Sequence, residues 1–171
     1  MKIAIIQPYV FPYIGYFQLI NAVDTFVFYD DVNFIKGGWI NRNKLLINKQ
    51  AKLFTIPLRK VSQHKLIHNV ELALDDYWKK QFYANLKQYY SKAPYYNETT
   101  SLIRDVFLSD STSISELAIT SVKKVNAYLD ITIEFEKSSV TYSNSKGMDK
   151  SDRLIKISKD KGAKIYINPE G

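Results

Sequence analysis

Two unbroken apolar runs near the N-terminus, "KIAII" (2–6) and the centre of "DTFVFYDD" (24–31), constrain this chain more than any other feature. A strand with one wet face alternates apolar and polar residues. A strand covered on both faces does not, and such strands belong to parallel sheets flanked by helices. Between the runs, "IGYFQLINAV" (14–23) reads as a short helix with Ile14, Phe17, Leu19 and Ile20 toward the core. Strand, helix and strand in this order predict a βαβ unit with a parallel pair. "IKGGWINRNKLLIN" (35–48) turns at Gly37-Gly38 and joins through "NKQ" to "KLFTIPLR" (52–59), which predicts a β-hairpin. "LIHNVELA" (66–73) is a further strand candidate.

The middle of the chain reads as helical. Asp75 caps a helix over 76–92 that Pro94 stops, and another follows over 97–109. "SISE" (113–116) is a capping box, and Ile114, Leu117, Ala118, Val122, Val125 and Leu129 behind it form a core stripe. "ITIEFE" (131–136) is a strand and "VTYSNSKG" (140–147) a polar, mobile loop. "KSDRLIKISKDKG" (150–162) is a basic amphipathic helix ended by Gly162, and "AKIYIN" (163–168) is a buried strand. The order predicts an α/β fold: a parallel-core sheet starting with a βαβ unit, a β-hairpin insertion and a helical middle segment. A length of 171 residues suits one domain over 1–171. Because "INPEG" directly follows a strand, the fold is expected either to continue beyond Gly171 or to be a short form.

Composition excludes several chemistries. Without cysteine there is no disulfide, thiolate catalysis or cysteine metal site. The two histidines, His64 and His68, are four apart. In a strand that separation is about 13 Å, so a shared metal is not expected, although either imidazole could serve as a general base. No apolar run approaches the roughly 20 residues that span a bilayer, and the start lacks a secretory apolar segment. A cytoplasmic protein without membrane insertion is expected. The 13 tyrosines suit wet binding surfaces, and equally the codon bias of an A/T-rich genome. The net charge of +7 is uneven: no acid lies between Asp31 and Glu71, whereas Lys36, Arg42, Lys44, Lys49, Lys52, Arg59, Lys60 and Lys65 do. Such an excess fits an anionic partner, or a solvated face. No phosphate-loop, dinucleotide or nucleophile-elbow motif is present.

In parallel α/β sheets ligands bind outside the carboxyl ends of the strands. Those ends present Gln7, Asp30, Asp31 and Asn168. The loop "QPYVFPYIGYFQLI" (7–20) lies there and leads into a helix N-terminus. Its prolines, Pro8 and Pro12, pre-set its shape, and Gly15 permits close approach. The loop is therefore either a rigid pocket wall over a phosphate or carboxylate, with Tyr16 behind it, or an aromatic plug at a sheet edge. Asp30 and Asp31 are candidate bases, and because neighbours on a strand face opposite ways only one of them is expected in the site. In "GGWINRN" (37–43), Trp39 offers a stacking face, Arg42 a fork for phosphate or carboxylate, and Asn41 and Asn43 donors and acceptors.

"QPYVFPYIGYFQLI", "DTFVFYDDVNFIKGGWINRNKLL", "TIPL" and "YYSKAPYY" together resemble the WbqC-like family of bacteria, over residues 3 to about 168. The resemblance implies a setting in O-antigen and other surface polysaccharide biosynthesis and a suggested glycine-transferase role. By motif it carries over Gln7, Pro8, Pro12, Gly15, Tyr16, Phe17, Asp30, Asp31, Trp39, Arg42, Asn43 and Pro57. A looser likeness is to the nucleotidylyltransferase fold, with "PYIGY" where that fold places an H-x-G-H turn. Tyrosine carries no positive charge at neutral pH, so that phosphoryl chemistry is not expected. Three readings result. The first is a transferase moving an aminoacyl group, such as glycyl, onto a nucleotide-linked amino sugar. In it Asp30 or Asp31 and Gln7 act catalytically, and Pro12, Gly15, Tyr16, Trp39, Arg42 and Asn43 bind substrate. The second is an ATP-dependent activating or nucleotidylyl-transfer enzyme. The third, least expected, is a nucleic-acid-binding module on the basic stretch. The sequence names no cofactor and no oligomeric state.

Overall fold

The βαβ unit forms from the residues that predict it. The computed structural model describes residues 1–169. β1 (Lys2–Ile6) runs through α1 (Ile14–Asn21) into β2 (Thr25–Phe28). The strands are parallel, with Ile3 opposite Thr25 and Ile6 opposite Phe28. β2 is buried at every position, which is why it cannot alternate. The insertion is an antiparallel hairpin of β3 (Arg42–Ile47) and β4 (Gln50–Thr55), a two-stranded sheet of its own. Then come α2 (Asp76–Tyr90), α3 (Tyr96–Phe107) and α4 (Ile114–Tyr128). β5 (Glu134–Lys137), α5 (Ser138–Thr141), α6 (Lys150–Asp160) and β6 (Ile165–Tyr166) complete the described chain. The main sheet is parallel throughout, in the order β5-β2-β1-β6.

Alternation along the strands sends side chains to two faces. Ala4, Phe26 and Phe28 pack with Tyr16, Phe17 and Ile20 of α1 and with Ile119 and Val122 of α4. Ile3, Ile5, Val27 and Tyr29 pack with Tyr142 and with Ile157 of α6. A third cluster joins the Gln7–Pro12 region to the hairpin and the middle helices through Val10, Ile40, Ile56, Phe82, Phe107 and Leu117. The helix caps are local and as expected. Asp75 accepts from the Trp78 amide, and Ser113 and Glu116 form the reciprocal capping box.

Five expectations change. Leu129 leaves the core stripe and is exposed, because it lies past the last turn of α4 as its C-cap. Ile14 is 66 % exposed and Tyr16 takes the core position instead, because residue 14 opens the helix on its outer side. Residues 66–73 do not form a strand. Ile67–Asn69 make a 3₁₀ turn, and the Ile67 and His68 amides donate to the carbonyls of Val32 and Asp30. Residues 140–147 are not an open loop: Tyr142 and Ser145 are buried. β6 is an edge strand with Ile165 and Tyr166 exposed, not a buried one. Among the described residues, no helix is long and apolar enough to cross a membrane.

Candidate functional site

The residues after β1 are fixed from several sides. The Val10 amide donates to the Ile40 carbonyl (3.1 Å) and the Phe11 amide to Ser121 Oγ on α4 (3.1 Å). Asn43 Nδ2 donates to the Phe11 carbonyl (2.5 Å), and the Tyr16 hydroxyl to that of Gln7 (3.2 Å). Pro8 and Pro12 are buried. Phe11 adopts φ 50°, a left-handed conformation that an aromatic residue takes only when its surroundings impose it. Its ring meets Phe107 edge-on at 5.9 Å. The Tyr13 ring lies over Gly15: a Cβ there would come within 2.2 Å of it and would displace this exposed ring. The space is thus filled by the chain itself. Tyr9 and Tyr16 meet edge-on at 5.3 Å. Burial pushes the Tyr9 phenol up to about 12 and the Tyr16 phenol well above its ordinary value, so both remain neutral donors and acceptors.

The second block, residues 37–43, lies against this loop. Asn41, buried, donates to the Ile56 carbonyl (2.9 Å) and sets the base of the hairpin. Asn43 ties the hairpin to the loop. Arg42 Nε donates to the Gly38 carbonyl (2.9 Å), which fixes the guanidinium plane. Among the described residues no carboxylate forms a salt bridge with Arg42. Trp39 is 51 % exposed, and Lys44 Nζ lies 5.5 Å from its ring centroid. The structure thus joins the loop to the Trp39–Asn43 block through Asn43 at Phe11 and Val10 at Ile40, and ties Tyr16 to Gln7, which follows the carboxyl end of β1. Pro57 continues from β4, its carbonyl accepting from the Ala73 amide. Asn168, past β6, hydrogen-bonds its neighbours Tyr166 and Pro169 among the described residues.

Asp30 and Asp31 belong to a different construction. They are 2 % and 5 % exposed. The Asp30 amide donates to the Phe28 carbonyl, so the chain has left strand geometry and the alternation rule no longer separates the two side chains. Both reach Ser138, whose hydroxyl is shared between Asp31 Oδ1 (2.5 Å) and Asp30 Oδ1 (3.2 Å). Asp30 also accepts from the Ser139 amide (3.0 Å) and hydroxyl (2.8 Å). Asp31 forms a buried ion pair with Arg153 of α6 at 2.5 Å, and Arg153 Nε donates to Ser145 Oγ (3.1 Å). The guanidinium lies 5.0 Å from the Tyr29 ring centroid. Burial works against the Asp31 carboxylate, but Arg153 and Ser138 more than offset it and hold it below the usual carboxylate range.

The two constructions meet at the sheet edge. The Tyr29 amide donates to the Ile6 carbonyl, which places the start of the Asp30–Asp31 turn beside Gln7. His68 also joins here, its Nδ1 3.1 Å from the Asp30 carbonyl. When Nδ1 donates in this contact, Nε2 keeps the lone pair. Sequence reasoning missed Ser138, Ser139, Ser145 and Arg153. It read Ser145 as part of a polar loop, placed Ser138 and Ser139 in no element, and read Arg153 as one more charge on a basic helix, and no local pattern marks a buried arginine. Two surface cavities lie elsewhere, one lined by Arg59, Lys79 and Thr112 among others and one by Lys123, Asn126 and Phe135 among others. Among the described residues, no three His, Asp or Glu side chains group as metal ligands.

Comparison with known proteins agrees with the motifs at this edge. Uncharacterized protein Rv1507c of Mycobacterium tuberculosis (strain ATCC 25618 / H37Rv) is 29 % identical over 169 residues, covering 98 % of this chain and 71 % of that protein. No solved structure matches. The model of the WbqC-like protein family matches residues 7–171, nearly the whole chain, including the loop, both aspartates and the Trp39–Asn43 block. The chain belongs to the WbqC-like protein family.

Proposed function

We propose that this protein is a transferase that moves an aminoacyl group, such as glycyl, onto the amine of a nucleotide-linked sugar in surface polysaccharide (O-antigen) biosynthesis. One observation carries the reading. Arg42, oriented by Gly38 and lacking a carboxylate partner among the described residues, stands in one block with the exposed Trp39, against a rigid loop at the carboxyl edge. An oriented guanidinium beside an indole face suits a diphosphate joined to a base or sugar. In the transfer, the sugar amine attacks the acyl carbon, the amine's proton passes to a base at the edge, and the activating group leaves with the bonding pair. His68 Nε2 is the base with a lone pair to spare. Asp30 and Asp31, buried and engaged by Ser138, Ser139 and Arg153, act as positioning residues that hold the edge around it. Gln7, whose carbonyl is taken by Tyr16, offers its side-chain amide to the developing oxyanion.

A thermal-shift panel tests this with UDP-, dTDP- and GDP-linked amino sugars, ATP with Mg²⁺, glycine and coenzyme A. Binding to the native state raises the melting temperature by mass action. A shift with one sugar nucleotide, lost in Arg42→Ala, is the expected result. A shift only with ATP and Mg²⁺ replaces the reading with an activating enzyme.

A further inference from the structure

We propose that the outer face of the β3–β4 hairpin docks on an anionic phospholipid surface. This goes beyond the transfer reaction and rests on the hairpin's leucines and lysines, with Trp39 the one side chain common to both. The hairpin register pairs Lys44 with Leu53 and Leu46 with Ala51, which puts these four residues on one face. Leu46 is 58 % and Leu53 50 % exposed. The contact of Lys44 with the Trp39 ring brings the indole to the same face, and Ile35 is exposed near its base. The opposite face is already used: Phe54 meets Phe82 at 5.1 Å, and Leu45 packs against the same cluster. Lys49 sits in the hairpin turn and Lys36 beside the base, both exposed. None of the eight cations between Asp31 and Glu71 takes part in an ion pair among the described residues.

Charge and apolarity together select the occupant. A phosphodiester backbone would neutralise the lysines but leave Leu46 and Leu53 against water. A second copy of the same face would cover the leucines but set lysine against lysine. A bilayer surface serves both, because anionic headgroups attract the lysines, the interface favours an indole, and short apolar side chains reach the acyl boundary. No spanning segment is needed.

Co-sedimentation with phosphatidylcholine vesicles, with and without phosphatidylglycerol, tests this on the whole chain. The protein is expected to pellet with the phosphatidylglycerol vesicles and to be released by salt. Leu46→Ser/Leu53→Ser should weaken binding by about ten-fold or more, and Lys44→Gln/Lys49→Gln by roughly five-fold for each lysine. These positions are exposed, so unchanged melting temperatures show that the variants fold. Absence of pelleting, equal pelleting with both vesicle types, or full binding by the leucine variant overturns the proposal. Two other outcomes also overturn it. One is tight oligonucleotide binding that the leucine variant retains, without vesicle binding. The other is a dimer in sedimentation velocity that this variant abolishes, again without vesicle binding.

Discussion

Asp31 and Arg153 define the residue scale. Each is buried, and each is tolerable only because of the other. Arg153→Met leaves a carboxylate buried without its counter-charge and should cost about 3–5 kcal/mol of stability. Asp31→Asn/Arg153→Met should recover part of that loss, measured by denaturant unfolding of both singles and the double. The pH dependence has a definite sign. The folded Asp31 carboxyl lies below its unfolded value of about 3.9, so its contribution is present above roughly pH 4 and is lost as pH falls through the folded value. Asp31→Asn should therefore flatten the acid limb of the stability profile while lowering stability at neutral pH. Parallel acid limbs in wild type and variant would exclude the strut. Loss of transfer activity at unchanged stability would instead make Asp31 a catalytic group.

At the scale of elements, Asn48 and Lys49 both have positive φ between paired Ile47 and Gln50, a tight two-residue hairpin turn. A lysine there is strained and a glycine is not. Lys49→Gly should stabilise the protein by about 0.5–1 kcal/mol in chemical denaturation, and a loss of stability would contradict this turn geometry. Ser113→Ala removes a capping-box acceptor and should cost about 1 kcal/mol by the same measurement. These elements were legible in the sequence because their determinants are local: a period, a cap, a turn. Residues 66–73 misled because the run pairs only at isolated bridges with three different segments, Leu66 with Asn33, Glu71 with Ser113 and Leu72 with Leu58, around a 3₁₀ turn, so no continuous ladder forms. The burial of Ser138, Ser145 and Arg153 was illegible for a related reason. Ser138 reaches Asp31 across 107 residues and Arg153 across 122, so nothing within a local window shows that these polar groups are buried.

For the whole molecule, the sheet edge is where distant parts are reconciled. The loop after β1 is held by the hairpin and α4, and the turn after β2 by α5 and α6, so both constructions arrive rigid at neighbouring strand ends. The family motifs of the loop and the Trp39–Asn43 block could be read as sequence, and their contact through Asn43 could not. Preorganisation of this kind lowers the ordering cost of binding, which is what the proposed transfer reaction asks of this edge. The measurement that tests this most directly is calorimetric titration of the sugar nucleotide selected by thermal shift into wild type and Arg42→Ala. The account predicts binding to wild type and a loss of roughly ten-fold or more in the variant, the scale of one charge-assisted contact, with little change in melting temperature. Equal affinity in the two proteins would contradict it.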